Sequence, residues 1–174
     1  MGTGPERGRR APSVFFVDDE RDILAALRRS LLDEPYDVQT FLDPKELLER
    51  VAAEKPAVVV SDFYMPAMKG PEVLKKVSEI EPYTVRMILT GKPDLSAVVA
   101  ATFDGGVHAF LIKPWESEAL RMEVRNAIYQ HDLLVERDAT MARIHEAELN
   151  EFRGLLRQNA REHVEKVKKR PQDA

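Results

Sequence analysis

Cysteine is absent from this chain of 174 residues. Disulfides, thiolate metal sites and cysteine nucleophiles are therefore excluded. Long hydrophobic runs are missing too. None approaches the roughly 20 apolar residues that a helix needs to span a bilayer, so no membrane insertion is expected. Neither sign of charge dominates: the formal net charge of −4 gives no global reason to expect nucleic-acid binding. The first residues, MGTGPERGRRAPS, carry arginines but no apolar segment of the kind a secretory signal requires. A cytoplasmic protein with a disordered arm over residues 1–11 is expected. Proline is lacking between Pro114 and Pro171, and Gly154 is the only glycine there. Little in that stretch would stop a helix.

What is present is a regular alternation. Ser13 to Val17 reads as a buried strand. Ile23, Leu24, Leu27 and Leu31 recur at helical spacing, and Pro35 ends that helix. Asp37 to Phe41 is a short strand of mixed polarity, as an outer strand would be. Asp43-Pro44 opens a helix, with aspartate as N-cap and proline at N1. Ala57 to Ser61 is the most uniformly apolar strand and is expected at the sheet centre. Pro71 opens a third helix, which stops before Pro82. Val85 to Leu89 forms a fourth strand, and Asp94 caps a fourth helix carrying Leu95, Val98 and Val99. His108 to Ile112 forms a fifth strand, and a final helix starts near Glu116. Five strands alternating with helices imply an α/β fold, a doubly wound parallel sheet with right-handed crossovers.

The final helix is too long for a compact domain. Helical from Trp115 to Pro171, it would extend about 80 Å. Ile128, Val135, Ala142, Leu149 and Leu156 recur every seven residues, but His131, Asp138 and His145 interrupt the companion column. A coiled coil or a helical hairpin fits this pattern. The expected organisation is a domain over 12–131, a helical extension over 132–170 and a disordered tail over 171–174.

The chemistry sits at strand ends. Asp18-Asp19 follows the first strand and Asp62 follows the third. Ligands of open parallel sheets bind beyond the carboxyl ends of the strands. If these two strands are neighbours, three carboxylates converge there. Such a cluster repels itself unless a divalent cation or a lysine sits among the acids. A magnesium-dependent phosphoryl site is expected.

VDDE at 17–20, SDFYMP at 61–66, LTG at 89–91 and IKPW at 112–115 resemble the receiver domain of two-component response regulators, over about residues 12–131. The LTG and FLxKPW phrases are similar to receivers attached to phosphodiesterases of the HD-GYP type. The resemblance implies the flavodoxin-like strand order 2-1-3-4-5. It makes Asp62 the phosphoacceptor, Asp19 a direct magnesium ligand and Asp18 a ligand through water. Asp62 and the backbone carbonyl of Tyr64 join that metal set. Lys113 would balance the acids and bind a phosphoryl oxygen, with Pro114 following a cis bond. Thr90 would give its hydroxyl to the phosphoryl group, and Phe110 would be the aromatic switch. Tyr64 and Lys92 would set the lifetime of the acyl phosphate. One departure is Met68-Lys69-Gly70, where the family often has aspartate before the glycine.

The implied partner is a sensor histidine kinase. A downstream protein effector or a second copy of the chain would bind the switching face and the helical extension. The receiver would catalyse its own phosphorylation and dephosphorylation, with no separate output enzyme. A DNA-binding module after the receiver is not expected from this sequence, which would disfavour direct transcriptional control. The alternative is a structural adaptor working through constitutive helix association. A haloacid-type phosphatase would want a second acid two residues after the nucleophile, where Tyr64 stands. His131-Asp132 has no metal constellation around it. His145-Glu146 lacks the proline-containing continuation of a histidine-kinase phosphoacceptor.

Overall fold

The computed structural model describes residues 11–91 and 106–168, with side chains described as far as residue 158. Nine elements follow one another: β1 (Ser13–Val17), α1 (Arg21–Ser30), β2 (Asp37–Phe41), α2 (Pro44–Glu54), β3 (Val58–Asp62), α3 (Gly70–Ile80), β4 (Val85–Thr90), β5 (Ala109–Ile112) and α4 (Ser117–Lys168). The helix expected after Asp94 lies outside the described residues. So do Lys92, residues 1–10 of the arm and the tail.

The five strands are parallel, in the order β2-β1-β3-β4-β5. This is the doubly wound, flavodoxin-like order. β3 is central and every one of its residues is buried, which is why it opens with three valines before Ser61 and Asp62. β2 lies at an edge and keeps its mixed polarity.

Side chains alternate across the sheet and build two cores. On one face Val14, Phe16, Val58 and Val60 meet Leu24 and Leu27 of α1 and Leu120 and Val124 of α4. On the other, Phe15, Val17, Val59 and Ile88 meet Leu47 and Val51 of α2 and Val73, Leu74 and Val77 of α3. Each alternate residue thus finds an apolar partner, the period-two logic of a strand covered on both faces.

Local signals set the helix ends. Asp43 accepts the Lys45 N–H at 2.9 Å, and Pro44 takes the first turn of α2. Lys55 closes that helix in the left-handed region at φ 50°, its N–H bonded to the Val51 carbonyl. Pro71 lies one residue inside α3, which starts at Gly70.

The chain divides into two compact units at Leu134 and Val135. The first holds the sheet. In the second, helix α4 runs unbroken to Lys168, through Gly154. This corrects the hairpin reading: a single glycine in an exposed helix costs only about 1 kcal/mol, too little to turn the chain. Met141, Ile144, Leu149, Phe152, Leu155 and Leu156 are all solvent-exposed on this segment. No helix among the described residues is long and apolar enough to cross a membrane.

Candidate functional site

The topology brings four loop stations to one rim. β1 and β3 are neighbours, with Val17 beside Ser61, so Asp18 and Asp62 leave adjacent strands side by side. β4 lies next, with Leu89 beside Asp62, and β5 places Ile112 beside Thr90. Lys113 follows at once, its N–H donating to the Thr90 carbonyl at 2.8 Å.

The side chains converge there. Carboxylate oxygens of Asp18, Asp19 and Asp62 all lie within 4.8 Å of one another. Lys113 Nζ donates to Asp18 Oδ2 at 2.7 Å and reaches Asp62 Oδ1 at 2.8 Å. Asp18 is fully buried, and its other oxygen accepts the Glu20 N–H at 2.9 Å. Asp62 Oδ2 accepts the Tyr64 N–H at 2.9 Å. Asp19 is exposed at the mouth. One lysine between two carboxylates is the compensation that buried acids require.

Burial pushes the Asp62 carboxyl above the usual aspartate range, and the neighbouring Asp18 adds to that. Lys113 and the Tyr64 N–H oppose the rise without cancelling it. Burial alone would lower Lys113. Its hydrogen bonds to Asp18 and Asp62, with their charge, more than offset this and raise it.

The donor set suits a small hard cation. All three side chains offer oxygen, and magnesium takes oxygen ligands while keeping several waters, so a few carboxylates suffice. Asp18, Asp19 and Asp62 would hold it.

Thr90 is buried at the end of β4. Phe110 is half-buried and packs against the core cluster that contains Ile88. The register pairs Ile88 with Phe110 and Thr90 with Ile112. Thr90 and Phe110 are therefore diagonal neighbours on one sheet face. Tyr64 is exposed, and its ring leans on that of Phe63 at 4.6 Å. The peptide bond between Lys113 and Pro114 is cis.

Two features escaped sequence reasoning. Gly70 is buried against the Asp62 backbone: a Cβ there would lie 2.2 Å from the Asp62 carbonyl oxygen and 3.0 Å from Ile88. Its signals were its place before Pro71 and its match to the glycine that the family keeps after Met68-Lys69, and neither told of this contact. Ser30, at the end of α1, anchors the loop that carries Lys113. Its hydroxyl accepts from Trp115 Nε1 at 3.3 Å and lies 3.2 Å from that of Ser117, while its carbonyl accepts from Arg121 Nε at 2.8 Å. Nothing local in the sequence announces a bond across some 90 positions.

The model of the response regulator receiver domain matches residues 14–125. The chain belongs to this family. Among curated relatives it is 32% identical over 126 residues to the C4-dicarboxylate transport transcriptional regulatory protein DctD of Rhizobium meliloti, covering 72% of this chain and 27% of that protein. It is 34% identical over 115 residues to the DNA-binding transcriptional regulator NtrC of Escherichia coli K12, covering 66% and 24%. Among solved structures, the signal receiver domain of an HD domain-containing protein from Pseudomonas fluorescens Pf-5 matches with a TM-score of 0.71 and 30% identity. That match covers 76% of this chain and 98% of the other. The chain thus spans about a quarter of the length of the curated relatives cited.

Membership supports phosphorylation-based signalling. Receiver domains are phosphorylated by histidine kinases and bind magnesium at an acidic pocket, and Asp18, Asp19 and Asp62 form such a pocket here. The expectation of no nucleic acid does not stand as an exclusion. NtrC is named as DNA-binding, and net charge describes only the chain in hand.

Proposed function

We propose that Asp62 accepts a phosphoryl group from the histidine of a sensor kinase and that this receiver thereby works as a phosphorylation switch. The observation that carries the reading is Lys113 Nζ lying 2.7 Å from Asp18 and 2.8 Å from Asp62, with Asp19 at the same mouth. An Asp62 oxygen forms a bond to phosphorus as the bond from phosphorus to the kinase imidazole breaks. The imidazole leaves with the electron pair, and Asp62 becomes an acyl phosphate. Magnesium, held by Asp18, Asp19, Asp62 and the Tyr64 carbonyl, would supply positive charge facing the phosphoryl oxygens. Lys113 gives up its bond to Asp62 and takes a phosphoryl oxygen instead.

Thr90 then turns its hydroxyl to the phosphoryl group, and Phe110 rotates into the space vacated on the same sheet face. Tyr64 and Lys92 are the residues that the family resemblance links to the lifetime of this state, and the bulk of Tyr64 slows the approach of the hydrolysing water. The receiver so sets its own phosphorylation and decay in the cytoplasm. The output is altered association of helix α4, either with a second copy or with a downstream protein effector.

Incubation with a small acyl-phosphate donor tests this. Wild type is expected to gain one phosphoryl group only with magnesium present, and Asp62→Asn none. A shorter half-life is expected for Tyr64→Ala. Equal labelling of Asp62→Asn overturns the acceptor assignment, and an unchanged half-life overturns the role of Tyr64.

A further inference from the structure

Beside α1 and the loop that carries Lys113 lies a cavity of about 600 Å³. That volume falls in the range of small-molecule sites, about 300–1,000 Å³. Ile23, Ala26 and the half-buried Trp115 form its apolar wall. Its charged residues are Arg29, Arg121 and Lys113, and among the described residues no acid lines it, although Asp and Glu outnumber Lys and Arg by 30 to 26 in the chain.

The three cations are not equally available. Lys113 is committed to Asp18 and Asp62. Arg121 gives its Nε to the Ser30 carbonyl and one Nη to Glu118, an exposed acid outside the lining, at 3.3 Å. Arg29 is exposed and has no carboxylate partner among the described residues. Ser30 and Ser117 add two hydroxyls at 3.2 Å from each other.

From this arrangement we infer that the cavity binds a phosphorylated planar molecule, with the simplest form a nucleoside monophosphate. Arginine recognises phosphate through its planar fork and stacks on rings, and an indole offers a stacking face. The phosphate lies between Arg29 and Arg121 with the serine hydroxyls at hand, and the base lies along Trp115. This site borders the acidic cluster through Lys113, but its ligand does not need Asp62, which the metal and phosphoryl group of that cluster require. It does not rest on phosphorylation.

Trp115 is the only tryptophan of the chain, so the indole signal comes from the wall of this cavity, and the titrations are run in chelator to keep the acidic cluster free of cation. The full chain is titrated with AMP, GMP, adenosine and inorganic phosphate, exciting at the red edge of the indole band. Calorimetry runs in parallel as a readout independent of the ring. Saturable quenching and heat are expected with AMP or GMP, and at least roughly tenfold weaker binding with adenosine or phosphate alone. Arg29→Gln is expected to weaken nucleotide binding by roughly tenfold or more, with Arg29→Lys intermediate, at unchanged thermal midpoint. No saturable signal in either readout overturns the inference. So does equal binding of adenosine and AMP, equal binding of phosphate and AMP, or an Arg29→Gln variant that binds like wild type.

Discussion

Asp18 is a fully buried carboxylate whose one cationic partner among the described residues is Lys113. Removing the cation from a buried pair typically costs about 3 kcal/mol or more, because the abandoned charge has no water to turn to. Lys113→Ala is therefore expected to lose about 3 kcal/mol of stability in chelator, measured by urea unfolding, with part of it restored by magnesium. Unchanged stability in chelator would mean that the pair contributes nothing. His108 offers a second test. Its Nδ1 accepts the backbone N–H of Arg86 at 3.1 Å, and partial desolvation of the ring, with the Arg86 charge, holds it below the ordinary 6.5 although the residue keeps some contact with solvent. The unfolded chain then takes up the proton first. The stability from neutral His108 is complete above 6.5 and is lost as pH falls through the lower folded value. The urea midpoint of wild type is expected to fall further across that window than that of His108→Gln; parallel curves would contradict the shift.

At the scale of elements, the end of β3 and the start of α3 are held by an absence of side chain. Gly70 donates its N–H to the Phe63 carbonyl at 3.0 Å and leaves no room for a methyl beside the Asp62 carbonyl. Gly70→Ala is expected to cost about 1–3 kcal/mol by overpacking and to slow phosphorylation, since the backbone that must yield is that of Asp62. Wild-type labelling rates would show that the strand end relaxes freely. This contact marks where sequence reading stopped. Strands β1, β3, β4 and β5 were legible because each apolar run is short, alternates between two faces and is followed by an acid, a threonine or a lysine, and β2 because its mixed polarity suits an edge. The helices α2 and α3 were legible because Asp43, Pro44 and Pro71 act locally on the chain. Asp18, Asp19, Asp62, Thr90 and Lys113 were legible as a motif in fixed order, and the fold brings them to one rim. Ser30, Trp115 and Arg121 meet only through space, and single residues far apart carry no periodic signal. The continuity of α4 was equally hidden, because a glycine in a long helix reads the same whether the chain turns or passes through it.

At the scale of the molecule, the exposed apolar residues of α4 bear on what the proposed switch does. Val135, Ala142, Leu149 and Leu156 repeat every seven residues, the spacing that a paired helix uses to face its partner. Association through that column is expected to make the chain dimeric in sedimentation, with a weaker dimer for the double variant Leu149→Lys and Leu156→Lys. A wild type monomeric at every concentration would remove the second copy as partner. Upstream of any output stands the proposed acyl phosphate, and its position can be read directly. Hydride reduction of the labelled protein turns an aspartyl phosphate into homoserine, and peptide mass spectrometry then locates the residue. Homoserine at position 62, formed only when magnesium and a phosphodonor are both present, is the expected result. Homoserine elsewhere, or none in protein that folds and binds the cation, would contradict the assignment of Asp62.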